Sequence, residues 1–195
     1  MSKLILGSGS PRRLELLKQI NIIPNDMISS NINEIPHKNE KPRHLALRLA
    51  QEKARSIWSK IQDKKYFILS ADNVVACGNR ILGKPNNEIE ARDFLSLLSG
   101  RRHRVYGGIC IINPDGIERC RIVQTKVQFR NLSEEDYNLY IKSNEWKDKA
   151  GGYAIQGIAT IFIKSIFGSY SNVIGLSLYD VSALLRGLGY LISYN

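Results

Sequence analysis

The first residues of the chain place a strand, a tight turn and a helix in immediate succession. Lys3 to Leu6 has the length and apolar character of a short buried strand. Small residues follow, and then Ser10 and Pro11. Serine is a favourable helix N-cap, and proline suits the first helical position because its missing N–H leaves no donor unpaired. The segment therefore predicts a strand that leads through a small-residue turn directly into a helix.

The same turn has the properties of an anion-binding site. The N–H groups at a helix N-terminus attract negative charge, whereas Arg12 and Arg13 in the first turn oppose the helix dipole. A bound polyanion would offset that conflict, and arginine can contact phosphate through two N–H groups at once. The turn is not a P-loop, since no Gly-Lys-Ser/Thr sequence follows it. It is not a GxGxxG motif either, since only Gly7 and Gly9 fit that pattern. A solvated arginine pair on a surface helix remains the alternative.

Helical and strand patterns alternate along the rest of the chain, and hairpin signals are also present. We expect helices from Pro42, from Asn87, from Ser133 and over about 176–188, with strands over 66–71, 105–112, 117–129 and 160–163. Gly78-Asn79 predicts a two-residue hairpin turn. The pattern predicts an α/β fold, a mixed twisted sheet with helices on its faces. The 195 residues, 43% of them hydrophobic, suffice for a single domain over 1–195, with room for two lobes.

The net charge of +10 favours a negatively charged partner. It fits either a non-specific polyanion binder or a site for a small phosphate-rich ligand. The basic residues are dispersed, however, and there is no basic tail. Cys77, Cys110 and Cys120 lack CxxC spacing, so we expect reduced thiols packed as small hydrophobic groups. No apolar run has the length of a signal-peptide core or a membrane span, which predicts a cytoplasmic protein that contacts no membrane.

Asp72 is the first candidate for chemistry, because it directly follows the apolar strand. If Gly78-Asn79 is the hairpin turn, position 73 pairs with position 84, and Asp72 and Lys84 become near neighbours. A carboxylate beside a lysine at a strand end predicts a binding site for a metal ion and phosphate. An ordinary ion pair at the base of a hairpin is the alternative.

Lys53 and Gln156 are candidates with weaker local signals. Lys53 lies at the edge of the apolar stripe of the long helix, so its stem can pack while its ammonium group reaches a cleft. Gln156 lies among glycines that allow close approach of a ligand, and its amide can both donate to and accept from a base edge. A surface lysine and a plain loop are the alternatives. Glu34, in a polar loop, has no local pattern of its own.

Seven short segments, taken in order, carry a resemblance to a known family. They are Ser8-Gly9-Ser10-Pro11-Arg12-Arg13, Arg48-Leu49-Ala50 with Lys53-Ala54, Ala71-Asp72, Leu82-Gly83-Lys84-Pro85, Leu98-Ser99-Gly100, Asp148-Lys149-Ala150-Gly151 with Ile155-Gln156-Gly157, and Gly168-Ser169-Tyr170 with Val173-Ile174-Gly175-Leu176. Each segment is a weak signal alone, but together they extend over nearly the whole chain. The chain resembles the Maf family of nucleoside triphosphate pyrophosphatases.

The resemblance implies a Maf/ITPase-like fold with two lobes around a central cleft, and it implies a reaction. Members of the family cut a nucleoside triphosphate between its α- and β-phosphates with a divalent metal, here Mg²⁺ or Mn²⁺. By motif position, Asp72 matches the catalytic proton acceptor and Glu34 an acidic residue of the preceding loop, and both would hold the metal. The phosphate-binding set is matched by Ser8, Arg13, Lys53 and Lys84.

The family also has substrate branches. Arg12 and Gln156 match the branch that prefers dTTP and UTP, whereas the branch acting on 7-methyl-GTP tends to carry tryptophan and glutamate there. Asn73 departs from the threonine usual in the pyrimidine branch, although it keeps a hydrogen-bonding side chain at the substrate site.

Three functions follow from these observations. The first is a pyrophosphatase for dTTP, UTP and related pyrimidine nucleotides, working as a homodimer without nucleic acid. The second is the same chemistry on 7-methyl-GTP or another modified nucleotide. The third is a non-enzymatic nucleic-acid-binding protein or a regulator of septum formation, the latter because Maf proteins have been linked with that process.

Overall fold

The computed structural model describes residues 2–192, so Met1 and residues 193–195 of the predicted domain lie outside it. Its strands are β1 (Lys3–Gly7), β2 (Asp26–Met27), β3 (Tyr66–Cys77), β4 (Arg80–Leu82), β5 (Arg102–Ile112), β6 (Glu118–Phe129) and β7 (Ile163–Phe167). Its helices are α1 (Pro11–Lys18), α2 (Pro42–Lys60), α3 (Glu88–Leu98), α4 (Glu134–Ser143), α5 (Tyr170–Ile174) and α6 (Leu178–Gly187). Two 3₁₀ helices, Ala150–Gly152 and Ile158–Phe162, lie between α4 and β7.

The strands form one mixed sheet in the order β2-β1-β3-β5-β6-β7, with β4 also paired to β3. β1 is parallel to β2 and β3, and the remaining pairs are antiparallel. The predicted mixed α/β sheet with helices on its faces is therefore confirmed. The division into two lobes stays a prediction.

One edge of β3 is shared by two different strands. β5 pairs with β3 from Ile68 to Ala76, and β1 and β4 pair with some of these same residues. Because a strand has only two edges, β1 and β4 must both lie along the edge opposite β5. There β1 covers residues 66–70 and β4 covers residues 75–77. Within residues 2–192 no strand covers positions 71–74 on that edge. Both β1 and β4 run toward this gap, so the loops that follow them converge on the middle of β3.

Two layers of helices cover the sheet. α2 packs against one face, where its buried side chains Ala50, Ala54 and Ile57 meet Ile68 and Cys110. The other face carries the larger core, built with apolar residues of α1, α3, α4 and α6. Burial of this apolar surface is the main stabilising contribution to the fold.

Two glycines of β5 let neighbouring segments approach the sheet closely opposite the gap. Gly108 pairs with Asp72, and a Cβ on Gly108 would lie 1.9 Å from the carbonyl oxygen of Ala46 in α2. Gly107 pairs with Asn73, and a Cβ there would lie 2.0 Å from Asn172 Oδ1. The helix on one face and the segment around Asn172 on the other can therefore sit directly against β5.

Several local predictions are confirmed. The hairpin turns at Gly78-Asn79, with Cys77 paired to Arg80. Pro11 and Pro42 begin helices, and Ser133 forms a capping box at the start of α4. Ser10 occupies the N-cap position of α1, but its side chain makes no capping hydrogen bond.

Two expectations about strands were wrong, and two short elements were not predicted. Asp72 does not end a strand, because β3 continues through it to Cys77 in register with β5. The strand expected over 160–163 begins only at Ile163, and a 3₁₀ helix occupies most of that range. The short elements β2 and α5 were missed, since two and five residues are too few to show a periodic pattern.

None of the helices within residues 2–192 combines the length and the apolar character that a membrane crossing requires.

His103 makes the stability of the fold depend on pH. The ring is 1% exposed, and Nε2 lies 2.8 Å from the Tyr153 hydroxyl. Burial lowers its pKa from 6.5 to about 4. The unfolded chain therefore binds a proton that the folded chain excludes, so the free energy of unfolding should fall by roughly 3 kcal/mol as pH drops from 6.5 to 4.

Chemical denaturation across this pH range checks the prediction. His103→Phe should flatten the profile between pH 5 and 6.5, because the group that takes up the proton is gone. His44→Gln, which changes an exposed histidine, is the matched control and should keep the wild-type slope. An equal slope in wild type and His103→Phe would contradict the assignment.

Candidate active site

A cavity of 890 Å³ opens at the gap in the sheet. Its wall contains the turn between β1 and α1, the loop that follows β2, one side of α2, the middle of β3, the residues after β4, the segment 148–150 and the segment 173–175. Of the residues predicted from sequence, the cavity brings together Ser8, Arg12, Arg13, Glu34, Lys53, Asp72, Asn73 and Lys84. Gln156 is exposed and does not line it, so its role stays a prediction.

Asp72 and Asn73 present polar groups to opposite faces of the sheet. Successive side chains of a strand alternate between the two faces. Asp72 faces α2, where it meets Lys53, and Asn73 faces α1 and the segment around Asn172. Because no strand in the described part of the chain borders β3 here on its β1 side, both polar groups line one continuous cavity.

Lys53 joins the two predicted acidic residues. Its Nζ lies 2.5 Å from Asp72 Oδ1 and 2.7 Å from Glu34 Oε1. The Lys53 and Asp72 side chains are only 11% and 13% exposed, whereas the Glu34 side chain is 54% exposed. Burial acts to raise the pKa of the Glu34 carboxyl, but the hydrogen bond and charge of Lys53, with Lys84 and Arg13, lower it below its ordinary value. Glu34 is therefore held ionised beside Lys53.

Arg13 is held on three sides by the protein. Nε donates to the carbonyl of Gly175, Nη1 to Ser8 Oγ and Nη2 to Asn73 Oδ1, each at 2.9 Å. Burial lowers the pKa of the guanidinium and the nearby Asp72 carboxylate opposes this, but arginine remains charged. A guanidinium has five N–H donors, so two of them have no hydrogen-bond partner among residues 2–192.

The wall around segment 148–150 adds charged groups that were not predicted as site residues. Lys149 lines the cavity, and burial together with the charge of Arg12 lowers its pKa, with a smaller contribution from Lys84. Asp148 faces the same group and opposes the shift. Ser30, in the loop after β2, lines the cavity with a buried hydroxyl that has no hydrogen-bond partner among the described residues. Lys149 lies in a segment that carries the family resemblance, but no role was predicted for it, and no local motif marks Ser30.

The arrangement can bind a polyanion and a divalent cation together. Five positively charged side chains line the cavity with three carboxylates: Arg12, Arg13, Lys53, Lys84 and Lys149, and Glu34, Asp72 and Asp148. The N-terminus of α1 also lines the cavity, and its backbone N–H groups further favour the binding of an anion. The carboxylates of Asp72 and Glu34 converge on one ammonium group, and such oxygen donors suit Mg²⁺ or Mn²⁺.

Comparison with known proteins shows the family of the chain. Residues 3–188 match the family model described as Maf-like protein. The chain belongs to the Maf family. It is 47% identical to a dTTP/UTP pyrophosphatase of Mesorhizobium japonicum, over 98% of this chain and 94% of the relative. It is 50% identical to a dTTP/UTP pyrophosphatase of Paramagnetospirillum magneticum, over 97% of this chain and 99% of the relative.

Solved structures show the same fold at low sequence identity. A HAM1 protein from Coxiella burnetii superposes with a TM-score of 0.50 and 15% identity, covering 96% of this chain and 100% of the other. The Ham1 protein of Staphylococcus aureus gives a TM-score of 0.50 at 13% identity, covering 95% and 98%. The Maf chain and these proteins therefore share a mixed α/β architecture.

Inorganic tripolyphosphate, which carries no base, tests the polyanion site of this Maf protein directly. Arg13→Met should weaken its binding about 10- to 100-fold, because it removes a partly buried cation that lines the cavity. Arg101→Met removes the same charge from an exposed site and is the matched control, which should change the affinity little. Calorimetric titration gives both values. Equal affinity in Arg13→Met and wild type would show that the polyanion binds elsewhere.

Proposed function

We propose that this protein hydrolyses dTTP, UTP and related or modified pyrimidine nucleotides between the α- and β-phosphates, which yields the nucleoside monophosphate and pyrophosphate. The observation that carries the proposal is the convergence of Arg13, Lys53 and Lys84 with Asp72 and Glu34 in one cavity. Maf relatives that are about half identical over nearly their full length, and that are named dTTP/UTP pyrophosphatases, support it. The enzyme would be a hydrolase that acts on acid anhydrides and removes such nucleotides from the nucleotide pool of the cell.

The positively charged groups would bind and neutralise the triphosphate. Attack of water on a phosphoryl group needs charge neutralisation and in-line positioning more than covalent participation. Arg13 has two N–H groups free for phosphate oxygens, and Lys53 has one beyond those facing Asp72 and Glu34. Ser8 holds Arg13, and Lys84 faces the same space from the residues after β4.

The carboxylates of Asp72 and Glu34 have different roles in the proposed reaction. Asp72 is the catalytic proton acceptor of the proposal, since it is the more enclosed of the two and is fixed by Lys53 within a central strand. Glu34, at the more exposed end of the Lys53 bridge, assists it from the loop. Both would hold a divalent cation, Mg²⁺ or Mn²⁺, which when bound polarises phosphate oxygens and lowers the pKa of coordinated water.

Base preference is assigned to Arg12, Asn73 and Gln156. Arg12 lines the cavity next to the charged segment 148–149, where it can contact a pyrimidine or the adjoining phosphates. Asn73 accepts from Arg13 and donates to the carbonyl of Asn172 at 3.0 Å, so one amide N–H remains for substrate. We further propose the homodimer implied by the family resemblance, a cytoplasmic location and no nucleic-acid partner.

The proposal predicts release of pyrophosphate from dTTP and UTP in the presence of Mg²⁺ or Mn²⁺, and no release with a chelator. Asp72→Asn should lower kcat at least about 100-fold, because the amide cannot accept the proton. Asp93→Asn, on the exposed side of α3, is the matched control and should match wild type. Asp72→Asn as fast as wild type would overturn the catalytic assignment.

The same substrate series separates the two substrate classes. We expect higher kcat/KM on dTTP and UTP than on 7-methyl-GTP, since Arg12 and Gln156 match the pyrimidine branch. A strong preference for 7-methyl-GTP would reverse the base assignment but leave the reaction intact. Failure on every triphosphate, with salt-dependent binding of single-stranded RNA, would support the non-enzymatic alternative instead.

A further inference from the structure

Two cysteines face each other across neighbouring strands, away from the cavity residues. Cys110 in β5 and Cys120 in β6 are direct partners in the antiparallel register, and their sulfur atoms lie 3.0 Å apart. Directly opposed residues in such a pair have Cα atoms about 4.5 to 5.5 Å apart. A disulfide needs Cα atoms about 4.4 to 6.8 Å apart and sulfurs bonded at about 2.0 Å. The backbone register therefore suits a disulfide, and the sulfurs need to approach by only about 1 Å.

The pair combines one protected and one accessible sulfur. Cys110 is fully buried under α2 among Ala50, Ala54 and Ile57, whereas Cys120 is only partly buried. The contact with Cys120, together with burial, raises the pKa of the Cys110 thiol. Cys120 is therefore the sulfur that meets a dissolved oxidant, and Cys110 is placed to react with it next.

A carboxylate and a guanidinium lie beside the two thiols. Glu118 Oε1 lies 3.4 Å from Cys120 Sγ. The same carboxylate accepts from Arg55 Nε at 2.7 Å, from Arg55 Nη2 at 2.9 Å and from Gln51 Nε2 at 3.1 Å. Although Cys110, Glu118 and Cys120 are close enough to share an ion, a cation would have to displace Arg55 from Glu118. The positive charge of Arg55 acts to lower the pKa of the Cys110 thiol, and the negative charge of Glu118 acts to raise it.

We infer that Cys110 and Cys120 form a redox-active dithiol that a peroxide converts into a cross-strand disulfide. The Cys120 thiolate attacks one peroxide oxygen, which becomes the oxygen of a sulfenic acid, and the other oxygen leaves as hydroxide. The Cys110 sulfur then attacks the Cys120 sulfur and releases the sulfenic oxygen as water. In total, two thiols supply two electrons and two protons, and hydrogen peroxide becomes two water molecules. A thiol reductant reverses the step.

The third cysteine gives an internal control. Cys77 ends β3 and is partly buried, and its strand partner in the hairpin is Arg80 rather than a cysteine. It should keep its thiol under a dose of peroxide that closes the Cys110–Cys120 pair. The three cysteines should therefore differ in their oxidation by peroxide, because only Cys110 and Cys120, among the described residues, have another sulfur in contact.

Intact-mass measurement of the full chain, treated with hydrogen peroxide and alkylated under denaturing conditions, tests the inference. Wild type should lose about 2 Da, carry one alkyl group instead of three, and return to three after treatment with a thiol reductant. Cys77→Ser should show the same loss of two thiols. Cys110→Ser and Cys120→Ser should each abolish the 2 Da loss, and peptide mapping of wild type should find Cys110 linked to Cys120.

Three results would overturn the inference, and the first two need no variant. One is that all three thiols survive the peroxide. Another is that Cys110 and Cys120 gain oxygen atoms without forming a crosslink. The last is one equivalent of Zn²⁺ retained by wild type and lost in Cys120→Ser, which would make Cys110, Glu118 and Cys120 a metal site.

Discussion

The gap along one edge of β3 is the constraint on which the site depends. β1 and β4 share that edge without meeting, and both chains leave their strands at the gap. The turn carrying Ser8 and Arg13 and the residue Lys84 are thus delivered to the same place from segments far apart in sequence. A sheet with a continuous neighbour along this edge would cover positions 71–74 and leave no space for a ligand.

The alternation of side chains along β3 gives the gap its chemistry. Asp72 and Asn73 are adjacent in sequence but face opposite layers, so one contacts Lys53 of α2 and the other contacts Arg13 of α1. These contacts need α2 and the Asn172 segment to lie close to the sheet. Gly108 and Gly107 allow that approach, because any side chain there would collide with Ala46 or Asn172. The placement of the charged groups therefore depends on close packing at the glycines paired with Asp72 and Asn73 on the neighbouring strand.

Local signals predicted the parts of the molecule that local interactions determine. The caps at Ser133 and Asn87 and the hairpin at Gly78-Asn79 depend on neighbours in the chain, and all three are present. The continuity of β3 was not predictable in this way, because Asp72 and Asn73 interrupt the apolar pattern while pairing with β5 keeps the strand extended. Lys149 was missed for a related reason. The segment that carries it is positioned by left-handed Gly151 and Gly152, and lysine itself gives no signal of a site.

The most direct measurement is a crystal structure of the protein with Mg²⁺ and a dTTP analogue whose α–β bridging oxygen is replaced by an imido group. We expect the triphosphate to occupy the gap between β1 and β4, with Arg13, Lys53 and Lys84 on its oxygens and Asp72 beside the α-phosphorus. A nucleotide bound on another surface, with these side chains still paired only to each other, would contradict it.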